Sequence, residues 1–63
     1  MSAIETSRTK IVRRLESEGW VLQRSRGGHD IYKHPTRGAI SVPRHRTLSP
    51  GVARSIAQAA GWI

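Results

Sequence analysis

The 63-residue chain has no cysteine, no phenylalanine and only four acidic residues. Without cysteine there is no disulfide staple and no thiolate metal site, which fits a reducing compartment. No apolar run approaches the ~20 residues of a membrane-spanning helix. The opening Met1-Ser2-Ala3-Ile4 lacks the apolar stretch of a signal peptide, so a cytoplasmic protein with no membrane attachment is expected. There is also no internal repeat, low-complexity tract or linker, and residues 1–63 are read as one domain with one modest core. So small a core gains from a partner, and a homodimer or a heterocomplex is expected.

The shortage of acid is the more informative deficit. Eleven Lys+Arg against four Asp+Glu give a formal charge of +7 and a pI near 11.7. A chain this short then carries a field that attracts polyanions, with nucleic acid as the first candidate. Nine of the eleven cations are arginine, whose planar fork suits phosphates and base edges. The plainer alternatives are a surface that only confers solubility and a surface matched to an acidic protein.

Hydrophobic periodicity divides the chain into five elements. Ile11 and Leu15, with Val12 to one side, share one face of a helix from Ser7 to Glu18, capped by Thr6 or Ser7 and stopped by Gly19. The period then changes to two. Trp20/Leu22/Arg24 alternate with Val21/Gln23/Ser25 in a strand running to Arg26. Gly27-Gly28 supplies the positive φ angles of a two-residue hairpin turn, and His29 to His34 is the return strand. After Pro35 and a turn at Thr36-Arg37-Gly38, Ala39 to Val42 form a third strand that Pro43 ends. A basic loop, Arg44-His45-Arg46-Thr47, leads to Ser49-Pro50, a helix start in which serine caps and proline takes the first helical position. Leu48, Val52, Ile56, Ala59 and Ile63 recur at helical spacing beyond it. This order predicts an α+β fold, α-β-β-β-α, with a three-stranded antiparallel sheet covered on one face by two helices and open on the other. The expected core is Ile11, Val12, Leu15, Trp20, Leu22, Ile31, Tyr32, Ile40, Val42, Leu48, Val52 and Ile56. Trp20 and Trp62 each adjoin a glycine at a helix end and read as core or partner contacts, whereas packing and base stacking are both open to Tyr32.

All three histidines, His29, His34 and His45, lie outside the helices among Arg24, Arg26, Lys33, Arg37, Arg44 and Arg46. No histidine pair has i,i+4 spacing on a helix and Asp30 is the only carboxylate nearby, so neither a metal nor another cofactor is expected. Gly27-Gly28 joins two strands and does not open a helix, which argues against a phosphate-binding loop. RNA cleavage needs a base for a 2′-OH proton, cations for the charge growing on phosphorus and an acid for the leaving oxygen. An imidazole among arginines supplies much of this, because an ordinary histidine pKa of ~6.5 lets it exchange protons at cellular pH. DNA lacks the 2′-OH and is not a substrate for this chemistry. A histidine at a strand end is otherwise an ordinary surface residue. His34 either positions a turn or contacts phosphate, and His45 is either a second acid or part of a basic patch.

The residues also carry a family pattern. Leu15-Glu16-Ser17-Glu18-Gly19-Trp20, Leu22 with Arg24, Gly27-Gly28-His29, Lys33-His34-Pro35, Ile40-Ser41-Val42-Pro43 with His45, and Leu48 to Ile56 with Ala60-Gly61 occur in the order and at the spacing of the HicA toxins. The chain resembles that family from Lys10 to Ile63. The resemblance implies a fold like that of double-stranded-RNA-binding domains and a toxin of a type II toxin-antitoxin system. It also implies an mRNA interferase that arrests translation, and neutralisation by a HicB-type antitoxin covering the active site. The charge adds that this partner is acidic. In the family the catalytic histidine belongs to a Gly-Ser-His motif, which makes His29 the catalytic residue here and Gly28 a departure, since the usual serine is missing. The candidate RNA contacts are Arg24, Arg26, Gly28, Lys33, His34, Arg44, His45 and Arg46. The rivals are a non-catalytic double-stranded-RNA-binding module, which Gly28 favours, and a small DNA-binding or ribosome-associated protein, for which no helix-turn-helix spacing argues.

Overall fold

The computed structural model describes residues 4–63; the signal-peptide reading of Met1-Ser2-Ala3 concerns residues outside those described. The elements follow the predicted order: α1 (Arg8–Ser17), β1 (Val21–Arg26), β2 (His29–His34), β3 (Gly38–Pro43) and α2 (Pro50–Ala59). Ser7 caps α1, its hydroxyl accepting the Lys10 N–H at 3.4 Å, and Ser49 caps α2 by accepting the Val52 N–H at 3.3 Å. Each hydroxyl satisfies one of the amides that a helix leaves unpaired at its start. The strands form an antiparallel meander in the order β1-β2-β3. Ile11 and Leu15 of α1, Ala53 and Ile56 of α2 and its C-cap Ala60 pack with Tyr32, Ile40 and Val42 in one core, so both helices cover the same sheet face.

Several expectations about packing are corrected. Leu22 is 46% exposed and Val52 36% exposed, so neither belongs to the core. Leu22 lies on an edge strand that is solvent-exposed along its whole length. On α2 the buried stripe is Ala53, Ile56 and Ala57, continued by the C-cap Ala60, and Ala59 and Ile63 are exposed. Its alanines are small enough to bring the helix close to its neighbours, yet too weakly apolar to stand out in a sequence pattern. Ile31, expected in the core, is half-buried on the open face opposite Arg24 and Ser41 and lies outside the core cluster, whereas Val12 packs on the margin of the core.

The simple alternation expected in β1 is interrupted. Arg26 pairs with His29, Ser25 with Asp30 and Arg24 with Ile31, but the register then jumps to Leu22 opposite Tyr32. Gln23 is the extra residue of a β-bulge. Because side chains alternate with period two, one inserted residue exchanges the faces of everything beyond it. Leu22 and Ser25 therefore share the helix side of the sheet, while Val21, Arg24 and Arg26 share the open side. Without the bulge, Arg24 would fall on the same side as Leu22.

Candidate functional site

The hairpin between β1 and β2 sets the position of His29. Gly27 and Gly28 have φ of +56° and +78°, the pair of positive angles that a tight two-residue hairpin of the type I′ class requires. No neighbouring atom lies within 4 Å of a Cβ built at either glycine, so the demand for glycine is conformational and not one of space. The turn places His29 opposite Arg26 at the start of β2, on the open face. Arg24 and Lys33 lie on the same face, opposite Ile31 and Val21. None of the ion pairs among the described residues involves Arg24, Arg26 or Lys33. The Ser41 hydroxyl of β3 approaches His29 Nδ1 at 3.4 Å.

Asp30, the next residue, points to the opposite side and is buried, with 7% exposure. Its carboxylate accepts hydrogen bonds from Ser25 Oγ at 2.6 Å, from Arg44 Nε at 2.8 Å and from the Arg8 guanidinium. The Ser25 hydroxyl, then the Arg44 hydrogen bond, hold this carboxyl below the usual aspartate range against the opposing effect of burial. Arg8 also donates from Nε to the Pro43 carbonyl at 2.8 Å. One carboxylate thus ties together α1, β1, β2 and the start of the β3–α2 loop.

Backbone bonds complete the attachment of that loop. Arg44 N–H donates to the Gly28 carbonyl at 3.0 Å, fastening the loop to the hairpin turn beside His29. Arg8 N–H donates to the Arg46 carbonyl at 3.0 Å, and Leu48 N–H to the Thr6 carbonyl at 2.8 Å. Arg44, His45 and Arg46 are exposed on this anchored segment, with Arg44 also held by Asp30.

His34 stands apart from the other candidates. It is half-buried on the helix side, 5.1 Å from the Trp20 ring between centroids. Nε2 lies 3.1 Å from the Glu18 carbonyl, and Nδ1 accepts the Thr36 N–H at 3.1 Å. Since Nδ1 accepts, Nε2 carries the proton and donates to the end of α1. A Cβ at Gly19, where φ is +96°, would meet His34 Nε2 at 3.3 Å, so glycine both ends the helix and admits the ring. Both nitrogens are engaged within the protein, and of the two alternatives for His34 the positioning of a turn agrees with this geometry. Arg37 is likewise occupied, donating to the Ala60 carbonyl at 2.8 Å at the end of α2.

The structure therefore gathers His29, Arg24, Arg26 and Lys33 on the open face, fastens Arg44, His45 and Arg46 beside the hairpin, and separates His34 from both groups. Sequence reasoning singled out neither Ser41 nor the Arg8–Asp30–Arg44 cluster. The pairing of β2 with β3 brings Ser41 to the ring, and a period-two reading of one strand contains no signal for it. Among the described residues no helix is long and apolar enough to cross a membrane, and no group of three His, Cys, Asp or Glu residues is placed to hold a metal ion.

An α-β-β-β-α domain with its sheet covered on one face only belongs, by architecture, to the class resembling double-stranded-RNA-binding domains. Residues 8–62 match the family described as the HicA toxin of bacterial toxin-antitoxin systems, and the chain belongs to that family. It is accordingly the toxin component of such a system, with an antitoxin as its partner. No curated protein matches it.

Proposed function

We propose that this toxin is a metal-independent endoribonuclease that cleaves mRNA at the open sheet face, with His29 as its general base or acid. The observation that carries the reading is the company His29 keeps. It shares one exposed face with three cations, Arg24, Arg26 and Lys33, while the carboxylate of Asp30, which would repel a phosphate, is turned away and neutralised. Acting as base, Nε2 of His29 takes the 2′-OH proton, and the 2′-oxygen bonds to the adjacent phosphorus. The P–O5′ bond then breaks and the departing oxygen takes a proton from water or from His45. The products carry a 2′,3′-cyclic phosphate and a 5′-OH. Arg24, Arg26, Lys33 and Arg46 bind phosphates, and the cations nearest the reacting group stabilise its added charge. Inhibition by an acidic HicB-type antitoxin that masks His29 and the same cations follows from the charge complementarity.

Incubating the purified protein with RNA in the presence of a chelator tests the reading. Cleavage products with cyclic phosphate ends are expected, with loss of most activity in His29→Ala and no cleavage of an all-deoxy strand. Undiminished cleavage by His29→Ala, or cleavage of the deoxy strand, would overturn it. The non-catalytic RNA-binding module remains the second reading because Gly28 offers no side chain beside the ring. Salt-sensitive RNA binding without any cleavage in the absence of antitoxin selects it.

A further inference from the structure

A general base that works through Nε2 needs its other ring nitrogen to hold the proton. Neutral imidazole exists as two tautomers, and only the Nδ1–H form leaves the Nε2 lone pair free. A group that accepts from Nδ1 therefore sets both the orientation of the ring and its readiness to act. Around His29 the neighbouring residues offer few such groups. Gly27 and Gly28 have no side chains, Pro43 opposite His29 has no polar side-chain atom, and Arg26 across the hairpin is a donor only. The Asp30 carboxylate lies on the other face and is taken up by Ser25, Arg8 and Arg44.

Ser41 meets the requirement. It pairs with Ile31 while His29 pairs with Pro43, so Ser41 and His29 are diagonal neighbours on one face of β2 and β3. This arrangement brings Oγ to 3.4 Å from Nδ1, at the long end of hydrogen-bond range. We propose that Ser41 is a positioning residue for His29, its hydroxyl accepting the Nδ1 proton and holding the ring with Nε2 available to RNA. The inference rests on the reading of His29 as a catalytic base. A hydroxyl carries no charge, so it fixes the tautomer and ring angle without adding a negative group that would repel the phosphate. The bond competes with water while the face is bare and strengthens once RNA excludes solvent. Serine sits in a strand here, where paired backbone on β2 holds it, and this supply of a hydroxyl from β3 leaves the hairpin free to be Gly27-Gly28.

The test combines imidazole nitrogen NMR with kinetics on the intact protein, on Ser41→Ala, on Ser41→Thr and on His29→Ala. In the unaltered protein the neutral His29 ring is expected chiefly as the Nδ1–H tautomer. Ser41→Ala should move the population toward Nε2–H and lower kcat about fivefold, the loss of one modest hydrogen bond. KM and the melting temperature should stay unchanged, and Ser41→Thr should restore both tautomer and rate. An unchanged tautomer ratio in Ser41→Ala, or an unchanged kcat, overturns the proposal. Wild-type cleavage by His29→Ala would instead remove the parent reading and the catalytic part of this one, while the tautomer ratio would still decide whether Ser41 positions the ring.

Discussion

His29 and Asp30 are neighbours in the chain and serve opposite faces of the sheet, one open to solvent and one buried. Asp30 joins two arginines and a serine, and its loss leaves both guanidinium groups without their carboxylate. Asp30→Asn is expected to destabilise the fold by about 2 kcal/mol, measured by chemical denaturation. The pH dependence has a definite sign. The folded carboxyl is held below its ordinary value, chiefly by the Ser25 hydroxyl and then by Arg44. Its contribution is therefore present above the unfolded value of ~3.9 and is lost as pH falls through the lower folded value. Melting temperatures of Asp30→Asn should consequently fall less steeply below about pH 4 than those of the unaltered protein. His29 was legible in the sequence as a titratable group after a tight turn in basic surroundings. The role of Asp30 was not, because Arg8 and Arg44 reach it only when α1 and the β3–α2 loop close on the sheet. Ser41 is illegible for the same kind of reason, since its partner lies across β2 and β3 and not along β3.

At the scale of elements, the order α-β-β-β-α, the hairpin at Gly27-Gly28 and both serine caps were legible, because each rests on local chemistry. The bulge at Gln23 was not, since an extra residue is defined only against the strand that it pairs with. That one residue matters to the site: it carries Arg24 from the side of Leu22 to the side of His29. The hairpin also favours glycine at position 28. With φ of +78°, any β-carbon there is strained although the surrounding space is open. Gly28→Ser is therefore expected to cost about 1 kcal/mol of stability in a denaturation experiment, with the fold retained. No loss of stability would mean that the turn adopts another geometry. In and just after α2, Ile56 is legible as core, whereas Ala53, Ala57 and Ala60 give too weak an apolar signal to outrank Val52.

Across the whole molecule seven of the eleven cations fall into two groups, and Lys10, Arg13, Arg46 and Arg54 are further exposed cations outside them. Arg8 and Arg44 hold Asp30, Arg14 pairs with Glu18 and lies 4.2 Å from the Trp62 ring centroid, and Arg37 caps the end of α2. Arg24, Arg26 and Lys33 have no such partner among the ion pairs of the described residues and lie on the same open face as His29. Composition revealed the excess of positive charge, but only the fold separates charge used in building from charge left for a ligand. If Lys33 contacts a phosphate, Lys33→Ala should reduce the slope of log binding constant against log salt by about 0.7 for single-stranded RNA. An unchanged slope would remove Lys33 from the interface. The proposed function has RNA lying on the open sheet face. Its most direct test is an NMR titration with a 2′-O-methylated RNA, which binds without being cleaved. Amide shifts are expected to concentrate at Arg24, Arg26, His29, Lys33 and Ser41 and in the Arg44–Arg46 loop. Shifts confined to the exposed sides of α1 and α2, with β1 and β2 unaffected, would contradict it.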